Sequence, residues 1–159
     1  MDWGAIARYL GAGIAVGFGG MGAGIGEGMC AQEANAAIAR QPKVSEQIVR
    51  TMLVAQAVAE TPGIFALLVA FMLVFGQIAG EGLVRLAIPL GAGIAMGLGG
   101  LGPGVGAGIA GARACEGIGR QPRLSGVLTR TMLIGQAISQ STAVYSLVIA
   151  LLLIFVAGQ

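Results

Sequence analysis

Two carboxylates stand where carboxylates are hardest to keep. Glu60 lies inside the run Val54-Ala55-Gln56-Ala57-Val58-Ala59-Glu60-Thr61-Pro62-Gly63-Ile64-Phe65, and Glu27 lies inside an apolar run rich in glycine. At bilayer depth an ionisable side chain costs roughly 3 kcal/mol on insertion scales, and more on an isolated helix. A chain keeps such a group where a partner or an ion offsets that cost. Glu27 lies 13 residues before Arg40 and Glu60 lies 18 after Pro42. At about 1.5 Å per helical residue the two reach similar depth, which makes them neighbours across one hairpin. Two carboxylates in apolar surroundings cannot both stay charged without a cation, so the pair reads as a cation or proton site that titrates as a unit. The rival reading is a protonated Glu–Glu hydrogen bond that only clamps two helices. Glu33, Glu46 and Glu116 lie close to polar loops, where solvation or ion pairing is the expected role.

Composition sets what must hold the pair. The 159 residues are 56% hydrophobic and 10% charged, against about 25% charged in a soluble domain. The chain therefore reads as an all-α membrane protein with no nucleic-acid partner. It contains no His, which removes the usual proton shuttle near neutral pH. Met1-Asp2-Trp3 is acidic where a secretory leader would be basic, so no signal peptide is expected. Cys30 and Cys115 fall in different apolar segments and read as free thiols that pack as small hydrophobes.

The chain is written twice. Arg40-Gln41-Pro42 recurs eighty residues on as Arg120-Gln121-Pro122, Gly11-Ala12-Gly13-Ile14-Ala15 as Gly91-Ala92-Gly93-Ile94-Ala95, Arg50-Thr51-Met52-Leu53 as Arg130-Thr131-Met132-Leu133, and Gln56-Ala57 as Gln136-Ala137. Each unit holds two apolar segments around a polar loop. Helices are predicted at roughly 5–39, 48–76, 85–119 and 127–157, each longer than the ~20 residues needed to cross the hydrocarbon. The organisation is two tandem transmembrane hairpins, residues 1–79 with the carboxylates and 80–159 without them, joined through 77–82. Arg40, Lys43, Arg50, Arg113, Arg120, Arg123 and Arg130 cluster at the two hairpin loops, and only Arg8 and Arg85 lie at the opposite end. The positive-inside rule then puts the loops in the cytoplasm and the termini outside.

The first helix of each unit alternates glycine: Gly20, Gly22, Gly24, Gly26, Gly28, and again Gly100, Gly102, Gly104, Gly106, Gly108. Residues two apart on a helix point nearly opposite ways. Gly20, Gly24 and Gly28 make one small-residue seam, and Gly22 and Gly26 part of another. Seams on two sides let a helix pack closely on two sides, as in a ring or stack. The run Gly17-x-Gly19-x-x-Gly22 also matches a dinucleotide-binding fingerprint, but that motif needs a preceding strand and a βαβ unit. The frame held through duplication and the acids did not: Glu27 corresponds to Ala107 and Glu60 to Gln140.

These residues resemble the rotor-ring proteolipid, the c-type rotor protein of rotary ATPases. The likeness covers nearly the whole chain. It rests on the alternating-glycine helices, the Ala39-Arg40-Gln41-Pro42 loop, and the segment from Gly135 to Ser146 with Ile138-Ser139-Gln140-Ser141-Thr142-Ala143-Val144-Tyr145 at its centre. Wording is closest to bacterial F-type proteolipids, which usually have one hairpin, whereas the four-helix form is V-type-like. In vacuolar-type proteolipids the carboxylate usually sits in the last helix; here it sits in the second.

The resemblance implies a homo-oligomeric ring turning against a stator and carrying the central stalk of the ATPase. It implies no catalytic residue and no organic cofactor, and residence in a membrane, taken here as a bacterial plasma membrane. It gives Glu60 the ion-carrying role, Glu27 the first-helix ligand role and Val58 a coordinating backbone carbonyl. Thr61 and Phe65 fall where sodium-type rings carry Ser and Tyr, and Pro62 replaces a Thr. Ser141, Thr142 and Tyr145 match the sodium pattern beside the lost acids. Because family sites form between adjacent hairpins, Glu27 and Glu60 are expected to combine with Ser141, Thr142, Tyr145 and the Ile138 carbonyl. The opposite interface, where Ala107 and Gln140 face Thr61 and Phe65, is expected to be silent. That makes one ion per four helices, with Na⁺ favoured over H⁺ by the hard oxygen donors. Arg40, Gln41, Pro42, Arg120, Gln121 and Pro122 are expected to dock the stalk. Two other classes compete: a small cation-coupled antiporter, for which 5% aromatic content is poor provision, and a channel protein whose Glu27 and Glu60 line water.

Overall fold

The structure is a computed structural model, and it describes residues 2–78 and 82–157. Among the described residues it contains four long helices: α1 (Trp3–Arg40), α2 (Ser45–Phe75), α3 (Val84–Arg120) and α4 (Ser125–Phe155). All four are long and apolar enough to cross a membrane, and no strand occurs among the described residues. The dinucleotide reading of the glycines therefore has no βαβ unit to sit in. The boundary expected between residues 79 and 80 falls outside the described residues. Helices α2 and α4 begin two to three residues earlier than the expected 48 and 127.

Each hairpin turns on the same tripeptide. A residue before proline is driven out of the α region, and Gln41 and Gln121 sit at φ −141° and −136°. Each closes the preceding helix with its own N–H, to the Ala37 and Gly117 carbonyls at 2.9 and 2.8 Å. Pro42 and Pro122 then open short 3₁₀ turns, Pro42–Val44 and Pro122–Leu124, where a missing N–H costs nothing. The chain enters α3 through Gly82 at φ +56°, the left-handed region that favours glycine.

The two glycine-rich helices pack against each other along their length, α2 lies against both, and α4 lies on α3 and touches α2 only sparsely. The α1–α3 seam is backbone on backbone. A Cβ on Gly11 would strike the Pro89 carbonyl, one on Gly26 the Gly104 carbonyl, and one on Gly108 the Gly26 backbone. One face of α1 (Gly11, Gly22, Gly26) thus meets Gly93, Gly97, Gly104 and Gly108 of α3. The other face of α1 is open: Gly13, Gly17, Gly20, Gly24 and Gly28 have no described atom within 4 Å of an added Cβ.

The buried apolar residues form two clusters. One lies toward the loops (Cys30, Ala34, Ile48, Ala55, Cys115, Ile118, Met132). The other lies toward the opposite end (Ala15, Val69, Leu73, Ala92, Met96, Ala150). Cys30 and Cys115 are free, buried thiols of the first cluster. Between the clusters runs a polar waist that carries Glu27, Gln56, Glu60, Gln136 and Gln140. Large apolar side chains such as Ile64, Phe71, Ile138 and Phe155 are more than half exposed, as expected of surfaces that meet lipid or other helices rather than water.

Candidate functional site

At the waist of hairpin 1, Glu27 from α1 and Glu60 from α2 line one groove of about 330 Å³ together with Val16, Gly20, Gly24, Gly63, Ile64 and Leu67. Glu60 is exposed and Glu27 half-buried. The groove opens on the same flank as the unpaired glycine face of α1, so the missing Cβ atoms at Gly20 and Gly24 make room beside the acids. Gln56, one turn before Glu60, donates from Nε2 to the backbone carbonyl of Glu27 at 3.2 Å. That bond fixes α2 against α1 at the level of the pair.

Hairpin 2 repeats the brace and changes the acids. Gln136 is buried and donates to the carbonyl of Ala107 at 2.8 Å, the counterpart of the Gln56 bond. It also reaches the Ala55 carbonyl of α2 at 3.4 Å. Gln140, which replaces the acid, donates from Nε2 to the Val58 carbonyl at 3.1 Å. That carbonyl is available for a local reason. The helical partner of residue 58 is the N–H of residue 62, and Pro62 has none. Proline strips α2 of one hydrogen bond, and the amide of α4 replaces it. A backbone carbonyl left without a donor in hydrocarbon is unfavourable, so the Gln140 amide compensates for the N–H that Pro62 lacks.

The remaining predicted ligands sit elsewhere. Val58 does not line the Glu27–Glu60 groove; it faces Gln140 across the inner interface. Thr61 is half-buried and its hydroxyl donates back to the Ala57 carbonyl at 3.4 Å. Ser141 donates to the Ile138 carbonyl at 2.8 Å and Thr142 to the Ser139 carbonyl at 2.9 Å. Ile138 and Tyr145 are 70% and 65% exposed. Within one chain the structure brings Glu27 to Glu60 and Gln140 to Val58, and it does not bring Ser141, Thr142 or Tyr145 to the acids. Reasoning from the residues alone misses the braces Gln56 and Gln136. The signal is present, since both are amides inside apolar runs and both survive the duplication.

At the loop end, Glu116 holds Arg113 at 2.9 Å and Arg120 at 2.6 Å, while Gln41 and Gln121 are engaged in closing their helices.

Comparison with known proteins fits this geometry. The family model for the ATP synthase C subunit matches twice, over residues 10–73 and 90–153. The chain is 53% identical over 78 residues to the ATP synthase c subunit of Alkaliphilus oremlandii, which covers 49% of this chain and 88% of the relative. It is 53% identical over 81 residues to that of Petrotoga mobilis (51% and 84%), and 49% identical over 79 residues to that of Natranaerobius thermophilus (50% and 91%). Each relative thus has the length of one hairpin. With two matched copies, four membrane-length helices and a repeated Arg-Gln-Pro turn, the chain belongs to the family of ATP synthase C subunits, the non-catalytic, ion-transporting rotor components whose ATP chemistry resides on other polypeptides of the complex.

Proposed function

We propose that copies of this chain close head to tail into a ring, and that each chain-to-chain contact completes one Na⁺ site. The observation that carries this reading is the inner interface. There, the Val58 carbonyl of hairpin 1 meets the acid position of hairpin 2, filled by Gln140. In this reading the same relation recurs between chains, with the acids of hairpin 1 against the Ile138, Ser141, Thr142 and Tyr145 side of hairpin 2 in the next copy. The glycines agree. The closed seam pairs Gly11, Gly22 and Gly26 with Gly93, Gly97, Gly104 and Gly108. The open face of α1 holds Gly13, Gly17, Gly24 and Gly28, and the equivalents of Gly11, Gly22 and Gly26 on α3 are Gly91, Gly102 and Gly106. On α3, Gly102 is open while Gly91 and Gly106 lie beside Leu153 and Ser139; in this reading that face meets the open glycines of α1 across a chain boundary, a heterologous contact that closes into a ring.

In that site Glu60 and Glu27 supply charge, and Ser141, Thr142, Tyr145 and the Ile138 carbonyl supply neutral oxygens. Hard oxygen donors suit Na⁺, and with one Na⁺ bound the second of the two acids holds a proton, so that the site is neutral. Val58, held by Gln140, serves the silent interface instead. The count is one ion per four helices. Rotation carries the loaded site to the stator, where a buried cationic residue favours the ionised carboxylate and releases the ion. The basic loops with Arg40, Gln41, Pro42, Arg120, Gln121 and Pro122 face the cytoplasm of a bacterial cell and dock the central stalk. Carbodiimide labelling of the assembled ring tests the reading. One carboxylate per chain is expected to react, at Glu60, and Na⁺ is expected to protect it. Labelling that no Na⁺ concentration slows at any pH assigns the site to H⁺ instead, and labelling of a second acid breaks the count.

A further inference from the structure

The loop ends of α2 and α4 enclose a cleft of about 400 Å³ lined by Gln47, Arg50, Thr51, Ser125, Thr129 and Arg130, with Leu133 at its mid-bilayer edge. It lies well away from the acids, and nothing in the ion-carrying scheme uses it. Arg50 and Arg130 are each the sixth residue of their helix. Beyond each arginine, Met52–Phe75 and Met132–Phe155 run 24 residues with Glu60 as their one charge. At 1.5 Å per residue these runs cover about 36 Å, somewhat more than the ~30 Å hydrocarbon. The guanidiniums therefore stand at the level of lipid phosphates. The floor of the cleft is fixed by a hydroxyl pair, Thr51 to Thr129 at 3.0 Å, which ties α2 to α4. Below it the Gln136 and Gln140 amides bind α2 carbonyls, and exposed Leu133 and Ile134 begin the apolar outer surface of α4.

We infer that this cleft binds an anionic glycerophospholipid of the loop-side leaflet. A phosphodiester would sit between the two arginine forks, geometry that suits phosphate oxygens better than an ammonium does. The Ser125 hydroxyl and Gln47 amide add neutral donors, and the acyl chains run past Leu133 over the exposed apolar surface of α4. Arg50 is paired with Glu46 at 3.2 Å, but both side chains are more than three-quarters exposed, and such surface pairs are weak enough to exchange. Arg130 makes no ion pair among the described residues. A basic cleft between spanning helices at the membrane surface is the kind of site that selects anionic headgroups.

Native mass spectrometry of the delipidated ring, titrated with phosphatidylglycerol, phosphatidylcholine or inorganic phosphate, tests this. Phosphatidylglycerol is expected to bind roughly tenfold or more tighter than phosphatidylcholine, about what two arginines provide. The double variant Arg50→Gln/Arg130→Gln should fall to the phosphatidylcholine level, and excess inorganic phosphate should not displace the lipid. Equal binding of the two lipids, or a variant that keeps the preference, overturns the proposal. Displacement by inorganic phosphate makes the cleft a free-anion site and overturns the lipid assignment. Should the double variant fail to assemble, a photoactivatable phosphatidylglycerol on the wild-type ring decides. Crosslinks at Leu133 and its neighbours support the site, and crosslinks confined elsewhere refute it.

Discussion

The two hairpins share a backbone plan and differ at their waists. Both turn on Arg-Gln-Pro, both brace their helices with a glutamine at the level of residue 27 or 107, and both pack glycine on glycine. Hairpin 1 then offers two carboxylates to an open groove. Hairpin 2 offers an amide that is already bonded to its neighbour. The difference shows what an acid does here that an amide cannot. Gln140 carries its own donor and bonds the Val58 carbonyl within the chain. A carboxylate has only acceptors once ionised, so it must borrow a proton or a cation each time it enters hydrocarbon. On the proposed function, one interface is thereby a fixed joint and the other a site that loads and unloads.

The sharpest way to break the comparison is to make the hairpins alike. Glu60→Gln turns the open waist into a copy of the closed one. Ion transport by the reconstituted complex is expected to fall to background, and carbodiimide labelling to vanish, while the ring still assembles. Retained transport would mean that the open groove is not the carrier.

Next in size is the difference between the two faces of α1. An alanine at Gly26 would drive its Cβ into the Gly104 carbonyl, and overpacking of this kind costs about 1–3 kcal/mol. Gly26→Ala is expected to destabilise the single chain. Gly24→Ala meets no described atom within 4 Å, so the chain should melt unchanged or slightly higher, alanine being the better helix former. The same variant is expected to block ring closure, which native mass measurement reads directly. If both alanines behave alike in chain and ring, the open face of α1 is not an interface.

Much of this is legible in the residues. The eighty-residue repeat implies two hairpins, proline marks both turns, and helical rise puts Glu27 and Glu60 at one depth. Other features are not legible, for a physical reason. Period-two glycine supplies two equivalent seams, and nothing in the spacing says which is filled inside the chain and which is left for a neighbour. The role of Val58 is obscured in the same way. By resemblance its carbonyl reads as a ligand, but Pro62 and Gln140 are remote in sequence, and only packing shows that one frees the carbonyl and the other takes it up.

That joint can be measured. Gln140→Leu leaves the Val58 carbonyl without a donor, and the loss should be on the order of 1 kcal/mol, given how interhelical hydrogen bonds in membranes score. Pro62→Ala returns an N–H to position 62. In that background Gln140→Leu should cost markedly less, so the double-mutant cycle is expected to show coupling rather than additivity. Thermal melts of the four proteins in detergent suffice. Additive effects would show that the amide and the proline are unrelated, and the inner interface would lose its account.

The smallest effect belongs to the end of the molecule opposite the loops, where hairpin 1 is fastened to hairpin 2 by charge. Asp2 caps α1, accepting from the N–H groups of Gly4 at 3.0 Å and Ala5 at 3.2 Å, and it faces Arg85 of α3 at 3.4 Å. The Ala5 N–H, foremost, holds its carboxyl below the ordinary carboxylate range; desolvation, next in size, opposes it, and Arg85 and the Gly4 N–H add to the lowering. A carboxyl whose folded value is depressed stabilises fully above its unfolded value, near 3.9, and loses that contribution as pH falls through the lower folded value. Acidification from about pH 5 should therefore loosen the first turn of α1, read as faster amide exchange at Gly4 and Ala5. Asp2→Asn keeps a capping oxygen but removes the charge, so its exchange should be nearly flat across the same range. A variant as pH-sensitive as the wild type would place the titration on another group and leave the two hairpins joined at this end by packing alone.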